Sequence, residues 1–177
     1  MKTIGVLEVD EEKKTKKIAI PVGIVAGLIP STNPTSTAFY KSEIALKGGN
    51  AIIFSPHPNA KNCIVEAVKV IRTAIAEAGG NEDLVSVITI PTIQATDMLM
   101  KHPDVAMILA TGGSAMVRAA YSSGTPAIGV GPGNGPAYIE KTADVALAVK
   151  RIMDSKTFDN GTICASEQSV MCDCDME

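Results

Sequence analysis

Apolar residues in this chain come in short unbroken runs, separated by stretches where they recur at helical spacing. Ile18 to Ile20, Ile24 to Leu28, Ala51 to Phe54, Val85 to Ile90, Val105 to Ala110 and Pro126 to Val130 read as strands. Pro30-Ser-Thr-Asn-Pro34 supplies a turn, a cap donor and a first-turn proline for a helix from about Thr35 to Lys47, which Gly48-Gly49 stops. Asn59 is the expected cap of a long helix whose Ile64, Ala67, Val68, Ile71 and Ile75 share one face, ended by Gly79-Gly80. A helix around Ile93 to Lys101 is closed off by Pro103, and Ser114 to Tyr121 is helical. Thr142 is the expected cap of a further helix, where Val145, Ala148, Val149, Ile152 and Met153 form a stripe that should face a core.

Strands that are continuously apolar rather than alternating are buried on both sides, which is the signature of a parallel sheet between two helix layers. The predicted fold class is therefore α/β, a Rossmann-like parallel sheet with helices on both faces and right-handed crossovers.

Composition narrows the setting. With 177 residues, 46% of them hydrophobic and 20% charged, the chain fits one globular domain with a sizeable core. The net charge of -3 argues against a nucleic-acid partner. The basic cluster Lys13, Lys14, Lys16 and Lys17 adjoins Asp10, Glu11 and Glu12 and reads as a solvated hairpin tip. The longest near-apolar run, Ile18 to Pro30, is 13 residues broken by Pro21, Gly23 and Gly27, against the ~20 that span a bilayer. No membrane segment or signal peptide is expected. Four cysteines without paired C-x-x-C spacing or neighbouring histidines indicate neither a metal site nor a disulfide framework, and a reducing cytoplasm is the expected location.

In open parallel sheets ligands bind beyond the carboxyl ends of the strands, so the turns after strands hold the candidate chemistry. Ala110-Thr-Gly-Gly-Ser114 follows a strand and opens a helix, so its amides are placed for a phosphate or pyrophosphate; a glycine turn that lets helix and sheet pack closely explains it equally well, since no G-x-G-x-x-G is present. Gly129, Gly131, Gly133 and Gly135 crowd the turn after the last apolar run, marking a close approach by backbone or ligand. His57, in Phe54-Ser-Pro-His-Pro58, is a lone histidine of the kind that is more often structural or solvated than catalytic. Cys164 lies in the polar segment Asp159-Asn-Gly-Thr-Ile-Cys-Ala-Ser-Glu-Gln168, where a thiol is nucleophilic even when little ionised; an ordinary buried small residue is the plainer alternative.

Taken together, Pro21-Val-Gly-Ile24, Ile29-Pro-Ser-Thr-Asn-Pro-Thr-Ser36, Lys47 to Pro58, Ala110-Thr-Gly-Gly113 and Lys156 to Val170 closely resemble the CoA-acylating aldehyde dehydrogenases, over about residues 17–170 and in family order. The resemblance implies the nucleotide-binding part of that fold over residues 1–158, and a catalytic cysteine loop with the start of the catalytic domain over residues 159–177. It implies oxidation of a short-chain aldehyde by NAD and CoA through a cysteine thioester, with Cys164 as the nucleophile and Asn33 as the oxyanion residue, acting with the backbone N–H of Cys164. Ile29, Pro30 and Ser31 resemble the wall beside the nicotinamide ribose, Ser55 and His57 the region near the adenosine ribose, and Thr111, Gly112 and Gly113 the pyrophosphate turn. Ser55 and His57 offer no acidic residue to reject a 2′-phosphate, so NADP stays open beside NAD.

Val130 and Gly131 resemble the segment that carries a glutamate general base in hydrolytic aldehyde dehydrogenases. With valine there, attack by water loses a contribution of roughly 10² to 10⁴, which favours acyl transfer to CoA over release of acid.

Only 13 residues follow Cys164, whereas family members continue into a catalytic domain and a terminal arm through which they associate. A truncated chain with weak or absent turnover by itself is the expectation. The tail after Val170, Met-Cys-Asp-Cys-Asp-Met-Glu, departs from the family's apolar strand. A non-catalytic nucleotide-binding fragment and a hydrolytic dehydrogenase are the alternatives to an acylating enzyme.

Overall fold

The computed structural model describes residues 2–174 and divides into two compact units, Met1–Val130 and Gly131–Glu177. The 158/159 boundary that the resemblance implies differs from this division and falls within the second unit.

The first unit opens with a hairpin, β1 (Gly5–Asp10) against β2 (Thr15–Ala19). The lysines lie where charge patterning put them, Lys13 and Lys14 on the turn and Lys16 and Lys17 on β2, all exposed. The Asp10 carboxylate accepts from the backbone N–H of Lys13 at 2.9 Å and from its ammonium at 3.1 Å, and these bonds hold its pKa below the usual value.

The parallel sheet follows. Strands β3 (Ile24–Ile29), β4 (Ala51–Pro56), β5 (Val85–Val87), β6 (Val105–Thr111) and β7 (Ala127–Val130) alternate with α1 (Pro34–Lys47), α2 (Lys61–Glu77), α3 (Ile93–Met100) and α4 (Ser114–Tyr121). Their order is β5-β4-β3-β6-β7, so the chain reverses direction across the sheet between β3 and β6. Strand β3 explains its own continuous apolarity. Val25 and Ile29 join a core built with α1 and α2, while Ala26 and Leu28 join another with Met100 of α3 and Ala120 of α4. The sheet is thus covered on both faces.

Several local expectations are corrected. The strand read from Val85 to Ile90 ends at Val87; Ile88 donates one more bond to the Phe54 carbonyl, but Ile90, restricted by Pro91, is 77% exposed. Asn59 does not cap α2. A 3-10 turn, Pro58–Ala60, comes first, and its cap is His57, whose Nδ1 accepts from the Asn59 N–H at 3.2 Å.

The second unit contains β8 (Gly135–Ile139), α5 (Val145–Thr157), a 3-10 turn (Phe158–Gly161) and β9 (Glu167–Cys172), with β8 and β9 paired in parallel. Asp144, not Thr142, caps α5 by accepting from the Leu147 N–H at 3.0 Å, because Thr142 donates instead to Glu140. The stripe expected to face a core does not: only Ala148, Ile152 and Lys156 are half-buried, and Val145, Val149 and Met153 are exposed. Two strands within this unit cover one narrow line of the helix and no more. Asp175, Met176 and Glu177 of the unusual tail lie outside the described residues.

Candidate active site

The sheet gathers most of the sequence-predicted residues on one edge. Ile29, Pro30 and Ser31 end β3, Ser55 and His57 end β4, Thr111, Gly112 and Gly113 end β6, and Val130 ends β7. All are at carboxyl ends, and the β3 and β6 groups flank the reversal point where such sheets bind ligands. Backbone bonds tie the edge together: His57 N–H donates to the Ile29 carbonyl at 3.0 Å and Gly112 N–H to the Val130 carbonyl at 3.2 Å. Not every side chain faces outward. Ile29 and Ser55 are buried, and the Ser55 hydroxyl is 2.7 Å from that of Thr96 on α3.

The glycines of the two turns divide by what a methyl group would meet. At Gly113 it would meet nothing within 4 Å, and at Gly112 only the Met116 side chain at 3.8 Å. Neither has a positive φ, so neither packing nor backbone conformation demands glycine there. Gly113 is also the N-cap of α4 and contributes no side chain, leaving the first amides of that helix without a side-chain acceptor. Gly129 differs: a methyl there would lie 2.5 Å from Val117 and 3.0 Å from the Tyr121 ring, so close packing accounts for it.

Asn33 caps α1 in an unusual way. Its side chain makes no capping bond; its backbone carbonyl takes the Thr37 N–H at 3.2 Å and the Thr37 hydroxyl at 2.7 Å. The Thr32 hydroxyl donates to Asn33 Oδ1 at 3.3 Å, and among the described residues Nδ2 donates to nothing. A half-buried amide donor is therefore left over at the foot of the helix.

Lys41 is the feature that sequence reading passed over. It belongs to a buried stripe of α1 with Thr37, Ala38, Ser42 and Ala45, and it is 4% exposed. Its ammonium donates to the carbonyls of Leu28 and Leu109, both at 2.7 Å, joining the two strands on either side of the reversal point. A lysine inside a stripe of otherwise small, uncharged residues was the available signal. Burial pushes its pKa down to about 7.

The unfolded chain, with an ordinary lysine value of roughly 10.4, binds this proton more tightly than the folded one between those two limits. Stability should therefore rise as pH climbs from about 7 toward 10, by at most about 1.4 kcal/mol per unit from this group. Urea unfolding midpoints measured across that range should climb in the parent chain and lose this slope in Lys41→Met. Equal slopes in the two proteins would remove Lys41 from the explanation.

In the second unit, Asp159, Asn160 and Gly161 take left-handed conformations in succession, with φ of 49°, 54° and 69°. Thr162 closes this run by donating its hydroxyl to the Asp159 carbonyl at 2.7 Å and carboxylate at 2.8 Å. Cys164 then sits in a turn closed by the Ser166 N–H on the Ile163 carbonyl at 3.2 Å, and it is exposed. Ser166 is 1% exposed, and its hydroxyl accepts from Lys156 at 3.4 Å and Gln168 at 3.5 Å, anchoring the turn to α5 and β9. The alternative of Cys164 as a buried packing residue is not what the structure has. Asn33 belongs to the first unit and Cys164 to the second, as does Gly131.

A doubly wound sheet with an open glycine edge is the architecture of a nucleotide-binding α/β domain. The chain belongs to the aldehyde dehydrogenase family, which it matches over residues 2–176. It is similar to the crystal structure of a probable aldehyde dehydrogenase from Listeria monocytogenes, at 66% identity and a TM-score of 0.89, over 97% of this chain and 38% of that one. An acetylating aldehyde dehydrogenase from Geobacillus thermoglucosidasius is 56% identical with a TM-score of 0.89, over 98% of this chain and 38% of that one. The bifunctional aldehyde-alcohol dehydrogenase of Escherichia coli K12 is 55% identical over 170 residues, 96% of this chain and 19% of the enzyme. This chain therefore spans a minor part of the length of each of these relatives.

Proposed function

We propose that this chain supplies the nucleotide-binding part and the nucleophile of a CoA-acylating aldehyde dehydrogenase, converting a short-chain aldehyde, NAD and CoA to acyl-CoA and NADH. The observation that carries the reading is the exposed Cys164 on a turn braced by the buried Ser166, in a chain 56% identical to an acetylating enzyme. Relatives more distant in sequence have been seen with the implied partners: a Rhodopseudomonas palustris propionaldehyde dehydrogenase, 37% identical, with propionyl-CoA, and an engineered glycolyl-CoA reductase, 37% identical, with NADP+.

The residues present fit a dinucleotide. Gly112 and Gly113 leave open space where a side chain would stand, and the α4 N-terminus offers amides to a pyrophosphate. Thr111, Gly112 and Gly113 would hold that group, with Ile29, Pro30 and Ser31 beside the nicotinamide ribose, Ser55 and His57 toward the adenosine end, and Val130 and Gly131 along the same wall. When bound, the nicotinamide accepts the hydride that leaves the aldehyde carbon. Either NAD or NADP suits this edge, because Ser55 and His57 supply no carboxylate to reject a 2′-phosphate.

The chemistry assigned to the chain's own groups is addition and exchange. The Cys164 thiolate adds to the aldehyde carbon, and the carbonyl oxygen takes the negative charge. The Asn33 side-chain amide and the Cys164 N–H donate to that oxygen. Once the hydride has left, the carbon is held as a thioester on Cys164, and the CoA thiol displaces the Cys164 thiolate. Val130, exposed at the end of β7, cannot activate water, so the thioester persists for CoA. Four free cysteines suit a reducing cytoplasm.

NADH formation from acetaldehyde, measured with and without CoA, tests the reading. CoA-dependent reduction of NAD supports acyl transfer; acid release without CoA supports the hydrolytic alternative; dinucleotide binding without any reduction supports a non-catalytic fragment. Asn33→Ala should lower the CoA-dependent rate by about 10² to 10³. Its thermal midpoint should stay near the parent's, because the side chain makes no capping bond. A full rate in Asn33→Ala would take Asn33 out of the mechanism.

A further inference from the structure

Four glycines crowd the segment Gly129 to Gly135, and they differ in what a side chain would meet. Gly129 is pressed by Val117 and Tyr121, and at Gly131 a methyl would meet nothing within 4 Å. A methyl on Gly135 would meet only the Ser166 carbonyl oxygen, at 4.0 Å. Gly133 stands apart. A methyl there would overlap the carbonyl oxygen of Cys164 and lie 3.0 Å from its carbonyl carbon and 3.8 Å from its Cα.

Gly133 does not have a positive φ, and the space taken by Cys164 is what excludes a side chain there. The obstructing atoms are backbone. Unlike the end of a flexible side chain, they move only if the Ile163–Ser166 turn moves with them. That turn is also held by Ser166, whose buried hydroxyl is bonded to Lys156 and Gln168. Cys164 thus has a bare Cα against its carbonyl and a buried anchor two residues further on.

We propose that Gly133 is a positioning residue for the nucleophile: by admitting the Cys164 carbonyl against its own backbone, it fixes the turn that aims the Cys164 thiol and N–H. The inference rests on the reading of Cys164 as the acyl-accepting thiol. Misplacing a reacting group by about 1 Å costs on the order of 10² in rate. Gly133→Ala forces a displacement of that size.

Acetyl-CoA is the probe, with acetyl transfer to Cys164 followed by peptide mass spectrometry and iodoacetamide alkylation of Cys164 followed in parallel. Acylation needs an aimed thiol; alkylation needs only an accessible one. In Gly133→Ala, acetyl transfer should fall by about 10² while alkylation changes less than about threefold. Gly135→Ala, in the same segment, should leave both unchanged.

Ala165→Gly provides the rescue. Rotating the peptide between residues 164 and 165 carries the offending oxygen away, and glycine at 165 permits the positive φ this requires. Gly133→Ala/Ala165→Gly should therefore recover a large part of the acetyl transfer, and should recover the native circular dichroism if the single variant loses it. Equal acetyl transfer in Gly133→Ala and the parent overturns the inference, as does a double variant no better than the single one. A parent chain that acetylates no cysteine selectively instead defeats the reading of Cys164 itself.

Discussion

Cys164→Ala is expected to abolish CoA-dependent NADH formation, whatever its size in the parent, by about 10⁴-fold or more. The effect is this large because, in the proposed mechanism, the sulfur is the atom that carries the acyl group. Without it no thioester forms, and the remaining oxyanion donors have nothing to stabilise. The same substitution should hardly touch stability, since the side chain is exposed and its turn is closed by backbone and Ser166 bonds that alanine preserves. Circular dichroism and the urea midpoint should match the parent while turnover disappears. Cys164→Ser separates nucleophilicity from shape, because a hydroxyl retains the geometry yet is a far poorer nucleophile at neutral pH. Substantial activity in either variant would place the nucleophile elsewhere.

The largest structural effect is expected from Phe54→Ala, at about 3 to 5 kcal/mol of lost stability. Phe54 is 0% exposed in β4 and packs in one core with Val25, Ile52, Ile64, Val68 and Val85. Its register partner across the sheet is Gly27 of β3, and the ring occupies the room that a side chain there would need: a methyl on Gly27 would lie 2.6 Å from the ring. The ring and the glycine therefore form one packing unit. Gly27→Ala alone should cost about 1 to 3 kcal/mol through overpacking, and the same change made in Phe54→Ala should cost much less, because the cavity receives the methyl. Phe158→Ala, at a ring that is 64% exposed, should stay within about 0.5 kcal/mol of the parent. Denaturant unfolding of the four variants checks the pattern, and strict additivity of Gly27→Ala and Phe54→Ala would contradict the packing described.

The sheet was legible in the sequence because its inner strands β3, β4 and β6 are buried on both faces, and burial on both faces leaves no choice but continuous apolarity. Helix α4 was read to its ends, and α1 was read to within a residue, because proline and paired glycines punctuate it. The short pair β8 and β9 was not. Gly135-Pro-Ala-Tyr-Ile opens with turn residues, and most of its side chains are exposed, so neither alternation nor an apolar run advertises a strand. Helix α5 misled in the opposite direction: its stripe is real, yet within the second unit only Ala148, Ile152 and Lys156 find cover. Local capping was a competition between chemically similar groups, which Asp144 and His57 won over Thr142 and Asn59. Among candidate site residues, sequence position placed the β3, β4, β6 and β7 ends correctly on one edge. Lys41 escaped it, and Gly133 was marked only as one of four crowded glycines without its partner Cys164, because a buried cation and a particular backbone contact are properties of packing, visible only when distant segments meet.

The most direct test of the central claim is to incubate the chain with acetyl-CoA at neutral pH and map the acetyl group over Cys63, Cys164, Cys172 and Cys174. All four thiols are exposed, so exposure alone would spread the label among them. Acetyl on Cys164, well ahead of the other three, is the result expected of an acyl-accepting nucleophile. An even distribution, or a label that spares Cys164, would contradict the account.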